Sequence, residues 1–193
     1  MRKSLKNIIL LALIIFVLSS LSYARPMRVG GGLSLRYYHM WGLYSSEVLG
    51  TEGVELNPTA GIDLFIIFPV MQDMDLQVGA ESIFSSKFKA SDAPSDYAVG
   101  YTQIYLNGLL NWANIGAISP FCGMGINLAL ASDTFTSYEY SAGLGFQMIM
   151  GAYFGDNWRG ELGWAWLNST TDEPSVTAYS NVPYFKIGYV FNI

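Results

Sequence analysis

Residues 139–154 read EYSAGLGFQMIMGAYF, and the two halves of that stretch differ by parity. Tyr140, Ala142, Leu144, Phe146, Met148, Met150 and Phe154 take one side of an extended chain. Glu139, Ser141, Gly143, Gly145, Gln147 and Gly151 take the other. Side chains of a strand alternate between faces, so this is a strand with one greasy face and one polar, glycine-rich face. Sixteen residues is long beside the five or six or so of an ordinary globular strand. A tilted strand that crosses a membrane needs about 9–11.

The same period recurs on both sides of it. Strands are expected over 29–41, 59–68, 74–84, 100–112, 121–131, 139–154, 159–167 and 185–193. The last of these, within KIGYVFNI, sets Phe185, Ile187, Tyr189, Phe191 and Ile193 against Lys186, Gly188, Val190 and Asn192. The expected fold is therefore all-β, an eight-stranded antiparallel up-and-down transmembrane barrel, with the last strand closing on the first. Connections sort by length. Long polar ones are expected at 43–55, 87–98, 132–138 and 168–182, short ones at 69–73, 113–119 and 155–158. Alternating strands place all long loops at one end and all short turns at the other, as in outer-membrane barrels.

Composition points to the same solvent. Hydrophobic residues make up 51% of the chain and charged residues 13%, against about 25% charged in soluble domains. The apolar residues are spread over strands, and no stretch after the N-terminus reaches the length of a spanning helix. Were the barrel soluble, its apolar face would line the core and its many glycines would weaken exposed strands. An apolar outside and a polar inside accounts for both. Aromatics are expected in two girdles, with Tyr37, Tyr38, Trp41, Tyr101, Tyr140, Trp164, Trp166 and Tyr184 toward the long loops. Phe68, Trp112, Phe121, Phe154, Trp158 and Phe191 stand toward the short turns.

The first 24 residues carry a different signal. Arg2, Lys3 and Lys6 precede the apolar run Ile8–Leu18, and Ser22 and Ala24 are small where a signal peptidase reads. Residues 1–24 are thus expected to be a secretory signal peptide and 25–193 the barrel. Without the leader's three cations the chain keeps 7 Lys+Arg against 15 Asp+Glu, a formal charge of −8. So acidic a chain makes a poor nucleic-acid partner. Cys122, the one cysteine, excludes an intrachain disulfide.

With its leader, eight strands and closing segment, the chain resembles small OmpA/OmpX-type outer-membrane barrels. The closing segment also resembles the signal read by the barrel-assembly machinery, falling on Lys186, Gly188, Phe191 and Ile193, with Ile193 where Phe is commoner. The resemblance implies export to the bacterial outer membrane, contact with outer-membrane lipid and lipopolysaccharide, and a partner for the assembly machinery. It also implies a charged plug. Arg36, Asp63, Glu81 and Lys186 fall at comparable mid-barrel heights on neighbouring strands, and two cations with two carboxylates are expected to pair there.

Three functions are in play. The leading one is a structural or surface-interaction role, with an extracellular partner met through loops 43–55, 87–98, 132–138 and 168–182, whose charge is mostly acidic. The second is lipid A modification. Lipid A palmitoyltransferase and deacylase are barrels of this size with a histidine near the outer rim, and His39, the only histidine, is a weak catalytic candidate here. A deacylase-like His-x-Ser is absent, since Met40 and Trp41 follow His39. The third is a narrow ion pore, although eight strands leave an interior that side chains can fill. No cofactor and no metal site is expected.

Overall fold

A computed structural model describes residues 25–37, 40–45, 56–87, 98–133, 139–171 and 176–193. The strands are β1 (Arg28–Arg36), β2 (Met40–Ser45), β3 (Thr59–Met71), β4 (Met74–Lys87), β5 (Ala98–Asn111), β6 (Ile118–Asp133), β7 (Tyr140–Phe154), β8 (Trp158–Thr171) and β9 (Val176–Asn192). All pairings are antiparallel, in the order β1-β3-β4-β5-β6-β7-β8-β9, and β9 returns to β1 to close the ring. β2 pairs with β9 beyond β1, so β1 and β2 are two segments of one crossing and the barrel has eight strands. The single strand expected over 29–41 is thus interrupted. Tyr37 donates its backbone N–H to the Pro183 carbonyl, and the register moves by one residue between Arg36↔Tyr184 and Met40↔Asn181. Pro183 has no N–H for a ladder, and sheets accommodate proline at edges and bulges.

The register fixes the shape. From Arg36 the partners run through Tyr184, Gly163, Ile149, Gly123, Leu109 and Asp75 to Pro69. Pro69 lies two places past Ile67, the partner of Arg28, so the ladder returns to the first crossing at Pro26, ten residues from its start. With a rise of ~3.4 Å and a strand spacing of ~4.8 Å, eight strands with this stagger tilt by roughly 40°. The interior of such a barrel is wide enough for side chains and little else.

Parity sorts the side chains as the alternation requires. Leu33, Leu64, Ile104, Ile126, Leu144, Phe146 and Leu162 stand on the outside, while Arg36, Asp63, Gln77, Glu81, Gln103 and Gln147 are buried within. The outer aromatics include the cross-strand pairs Phe146–Trp166, stacked at 4.1 Å, and Trp158–Tyr189, edge-on at 5.3 Å. Four residues expected in the girdles turn inward instead: Tyr140 packs against the interior core beyond the register shift of β7–β8, and three others are buried outright. Tyr101, Tyr184 and Phe121 share the parity of the polar face and are buried in the lumen, where they fill space. Trp112, Phe154, Trp158 and Phe191 remain outside at the short-turn end.

The strands also run further than the polar composition suggests. Residues 168–171 and 176–182, expected within a loop, belong to β8 and β9 and pair with each other from Asn168↔Tyr179 to Thr170↔Thr177. Residues 43–45 belong to β2, and residues 132 and 133 to β6. Past the hydrocarbon layer both faces of a strand meet polar surroundings, so hydrogen bonding continues while the apolar alternation fades. The leader and His39 lie outside the described residues, as do 46–55, 88–97, 134–138 and 172–175 of the loops.

Candidate functional site: a charged network across the lumen

Glu81 on β4 is the centre of the interior. Its Oε1 accepts from the Ser34 hydroxyl at 2.6 Å and from Arg36 Nε at 2.7 Å. Its Oε2 accepts from Arg36 Nη2, from Gln103 Nε2 at 3.0 Å and from Lys186 Nζ at 2.8 Å. Arg36 therefore holds the carboxylate with both arms of its fork, the geometry that guanidinium favours. Lys186 also reaches Asp63 Oδ2 at 3.1 Å. The structure thus brings Arg36, Asp63, Glu81 and Lys186 together. The register explains how: Asp63 faces Glu81 across β3–β4, and Ser34 faces Lys186 across β1–β9.

The network extends past these four. The Tyr105 hydroxyl donates to Asp63 at 2.8 Å and accepts from Gln77 Nε2 at 3.2 Å. Gln77 Oε1 accepts from Arg159 Nη2 at 3.1 Å and from Asn107 Nδ2 at 3.2 Å, and Asn107 Oδ1 accepts from Gln147 Nε2 at 2.8 Å. Arg159 pairs with Glu161 at 2.6 Å, and Glu161 accepts from the Tyr184 hydroxyl at 2.9 Å. Three cations, Arg36, Arg159 and Lys186, thus meet three carboxylates, Asp63, Glu81 and Glu161, in one connected set of contacts.

The third pair, Arg159 with Glu161, was not singled out by height along the strands. Its signal was present in the sequence: opposite charges two residues apart on a strand share a face. The two tyrosines were hidden because strands favour tyrosine on either face. Each lies flat over the glycine that is its ladder partner on the neighbouring strand. A Cβ on Gly79 would stand 2.4 Å from the Tyr105 ring, and one on Gly163 would stand 2.3 Å from the Tyr184 ring. Lys186 sits between these rings, 4.9 Å and 5.0 Å from their centroids, and the Arg36 guanidinium lies 4.4 Å over Tyr184. Cations flanked by aromatic faces are favoured where water is scarce.

Toward the short turns the filling becomes aromatic. The Arg159 guanidinium lies 4.5 Å over Phe121 and 4.9 Å over Phe65, and Phe121 packs on Tyr153 at 5.1 Å. Beneath this layer is a second charged group. Asp75 accepts from Arg28 at 2.7 Å and from Asn111 at 2.9 Å and pairs with Arg25 at 2.9 Å, while Arg28 stacks 4.2 Å over Tyr153. A cavity of about 250 Å³ opens below Arg28 and Asp75 at the base. Within the network, a void beside Asp63, Arg159, Glu161 and Lys186 measures about 10 Å³, roughly the space of one water molecule. Among the described residues no three His, Cys, Asp or Glu side chains converge as a metal site.

The remaining expected positions are apart from this network or outside it. Gly188 faces Gly32 in the closing ladder, and Phe191 and Ile193 project outward near the short-turn end, away from Lys186. Cys122 stands on the outer parity of β6, level with Met150.

No protein-family model matches the chain, and no curated protein matches its sequence. Solved structures match its fold. Neisserial surface protein A aligns with a TM-score of 0.57 at 12% identity, over 86% of this chain and 97% of that one. The outer membrane protein OprG of Pseudomonas aeruginosa aligns with a TM-score of 0.58 at 10% identity, over 88% and 97%. AlkL, an outer membrane protein determined in DMPC lipid bilayers, aligns with a TM-score of 0.52 at 15% identity, over 89% and 93%. At such identities the likeness is one of fold. This chain has the fold of the small outer-membrane β-barrels, with an apolar outer wall around a buried charged interior.

Proposed function

We propose that the chain is a closed barrel that works through its outer surface and loops rather than through its lumen. It is exported by residues 1–24, cleaved after Ala24, and seated as a monomer in the outer membrane among lipid and lipopolysaccharide. The barrel-assembly machinery reads Lys186, Gly188, Phe191 and Ile193. Arg36, Asp63, Glu81 and Lys186, extended by Arg159 and Glu161, form a structural plug. The observation that supports this reading is the interior itself: three cations and three carboxylates from β1, β3, β4, β8 and β9 joined in one network above an aromatic layer, with a void of about 10 Å³ beside Asp63 and Lys186. Ions have no continuous aqueous path through such a filling. Two faces are left to act: the loops at the long-loop end, and the apolar wall.

Planar-bilayer recording tests the plug. The purified barrel is expected to be electrically silent, and steady single-channel currents would replace this reading with the pore. Lipid A mass spectrometry on cells carrying His39→Ala tests the enzyme alternative. An unchanged acylation profile is expected, and a lost or gained acyl chain would place chemistry at His39. N-terminal sequencing of the envelope form is expected to begin at Arg25. Phe191→Ser removes an outward side chain of the assembly signal while sparing the lumen, and is expected to slow membrane insertion with little change in the folded barrel.

A further inference from the structure

The outer wall has a valley at its short-turn end. Across β6–β9 the partners Pro120, Ala152, Gly160 and Ile187 form one row whose two middle members, Ala152 and Gly160, are small. The row nearer the middle of the barrel contains Met150, Leu162 and Phe185, and the row nearer the turn contains Phe154, Trp158 and Tyr189. Between these walls runs a groove of about 670 Å³, ended by Trp112 and Ile187. Gly160 is its floor, with the Phe154 ring leaning over it: a Cβ there would meet Phe154 at 3.2 Å. Arg159 and Glu161 border the groove, but their side chains are buried on the lumen side.

We infer that this groove binds one acyl chain of a glycerophospholipid from the leaflet at the short-turn end. Three features select that occupant. The groove lies in the hydrocarbon belt, on the face that carries Leu162 and Phe185, so it is bathed in acyl chains. It spans four strands, about 14 Å at a strand spacing of ~4.8 Å, and is one side-chain row wide, which suits a single linear chain. A second barrel is a poor fit, because two convex walls touch along a line and neither fills a recess in the other. Trp112 and Trp158 stand at the girdle, where indoles offer an N–H to the glycerol region beside an apolar ring. Short turns face the periplasm in outer-membrane barrels, which makes the leaflet a phospholipid one. The inference uses the membrane placement and is independent of the plug: a conducting barrel would leave it standing.

Native mass spectrometry of the detergent-solubilised barrel with 1-palmitoyl-2-oleoyl phosphatidylethanolamine tests it. One lipid is expected to stay bound under activation that strips the remaining lipids. Gly160→Leu, which fills the valley, is expected to lower the singly lipidated fraction at least fivefold, and Ala152→Leu provides a second, milder filling. Ala80→Leu on the opposite wall is the control and is expected to leave that fraction unchanged. Retention by both filled variants equal to the parent overturns the inference. A protein dimer in place of the lipid adduct also overturns it, in favour of a second copy. Photo-crosslinking in phosphatidylethanolamine vesicles carrying a diazirine acyl chain needs no variant. Adducts are expected to concentrate on Met150, Ala152 and Trp158 over Phe68 and Leu76 of the β3–β4 wall, and an even spread around the barrel overturns the assignment.

Discussion

One wall separates two surroundings, and its faces differ residue by residue along the same strands. On β5, Ile104 and Leu106 face out, while Gln103, Tyr105 and Asn107 between them face in. Outside, each side chain meets hydrocarbon and needs no particular partner. Inside, Glu81 needs Ser34, Arg36, Gln103 and Lys186 at once. The outer face is therefore specified by chemistry alone, whereas the inner face is specified by geometry. A substitution should be judged by which rule it breaks.

The sharpest test of that contrast removes one inner partner. Lys186→Met leaves Glu81 paired with Arg36 but takes from buried Asp63 the cation it contacts, and loss of one partner of a buried pair costs about 3–5 kcal/mol. Chemical unfolding in phospholipid vesicles measures it, and adding Asp63→Asn is expected to recover part of the loss. If Lys186→Met were neutral, the interior would obey the permissive rule of the exterior. Next in size is a charge on the outer face: Ile104→Arg is expected to cost ~2–4 kcal/mol near the midplane, the range seen for barrels. A smaller penalty would mean that the hydrocarbon layer is not centred there. Tyr105→Phe removes the hydroxyl that joins Asp63 to Gln77 and is expected to cost ~1–3 kcal/mol, the penalty for an unpaired buried group. Smallest is Leu64→Met, one apolar chain for another against lipid. It is expected to stay within about 0.5 kcal/mol, and a larger change would reveal a specific partner on that wall.

The contrast also explains what could be read from the chain beforehand. Face assignment follows from parity, so the eight crossings and the sidedness of Leu144 and Phe146 were legible without coordinates. Arg36, Asp63, Glu81 and Lys186 could be grouped because charged side chains are rare on these strands and height can be counted from the turns. The reach of Arg159 through Gln77 to Tyr105 could not, since it depends on a stagger of ten that no local pattern encodes. Tyr101, Tyr184 and Phe121 misled for another reason: an aromatic at a strand end fits a girdle or a lumen, and the girdle reading set parity aside. Residues 168–171 and 176–182 read as loop because Asn, Ser and Thr dominate, although Thr170↔Thr177 and Ser169↔Ala178 are ordinary ladder partners.

One joint in the ring pairs glycine with glycine. Where β1 meets β9, Gly32 lies opposite Gly188, and a Cβ on Gly32 would come within 2.5 Å of the Ile187 carbonyl oxygen. Two backbones are drawn together there with no side chain between them, and they belong to stretches of chain separated by the whole of the barrel. Pairing so distant in sequence is slow to nucleate, and this seam cannot begin to zip until every intervening hairpin has been delivered. The bare glycine joint is then suited to be the last stitch: it lets two smooth edges meet in register, two residues from where Lys186 must still find Asp63 and Glu81.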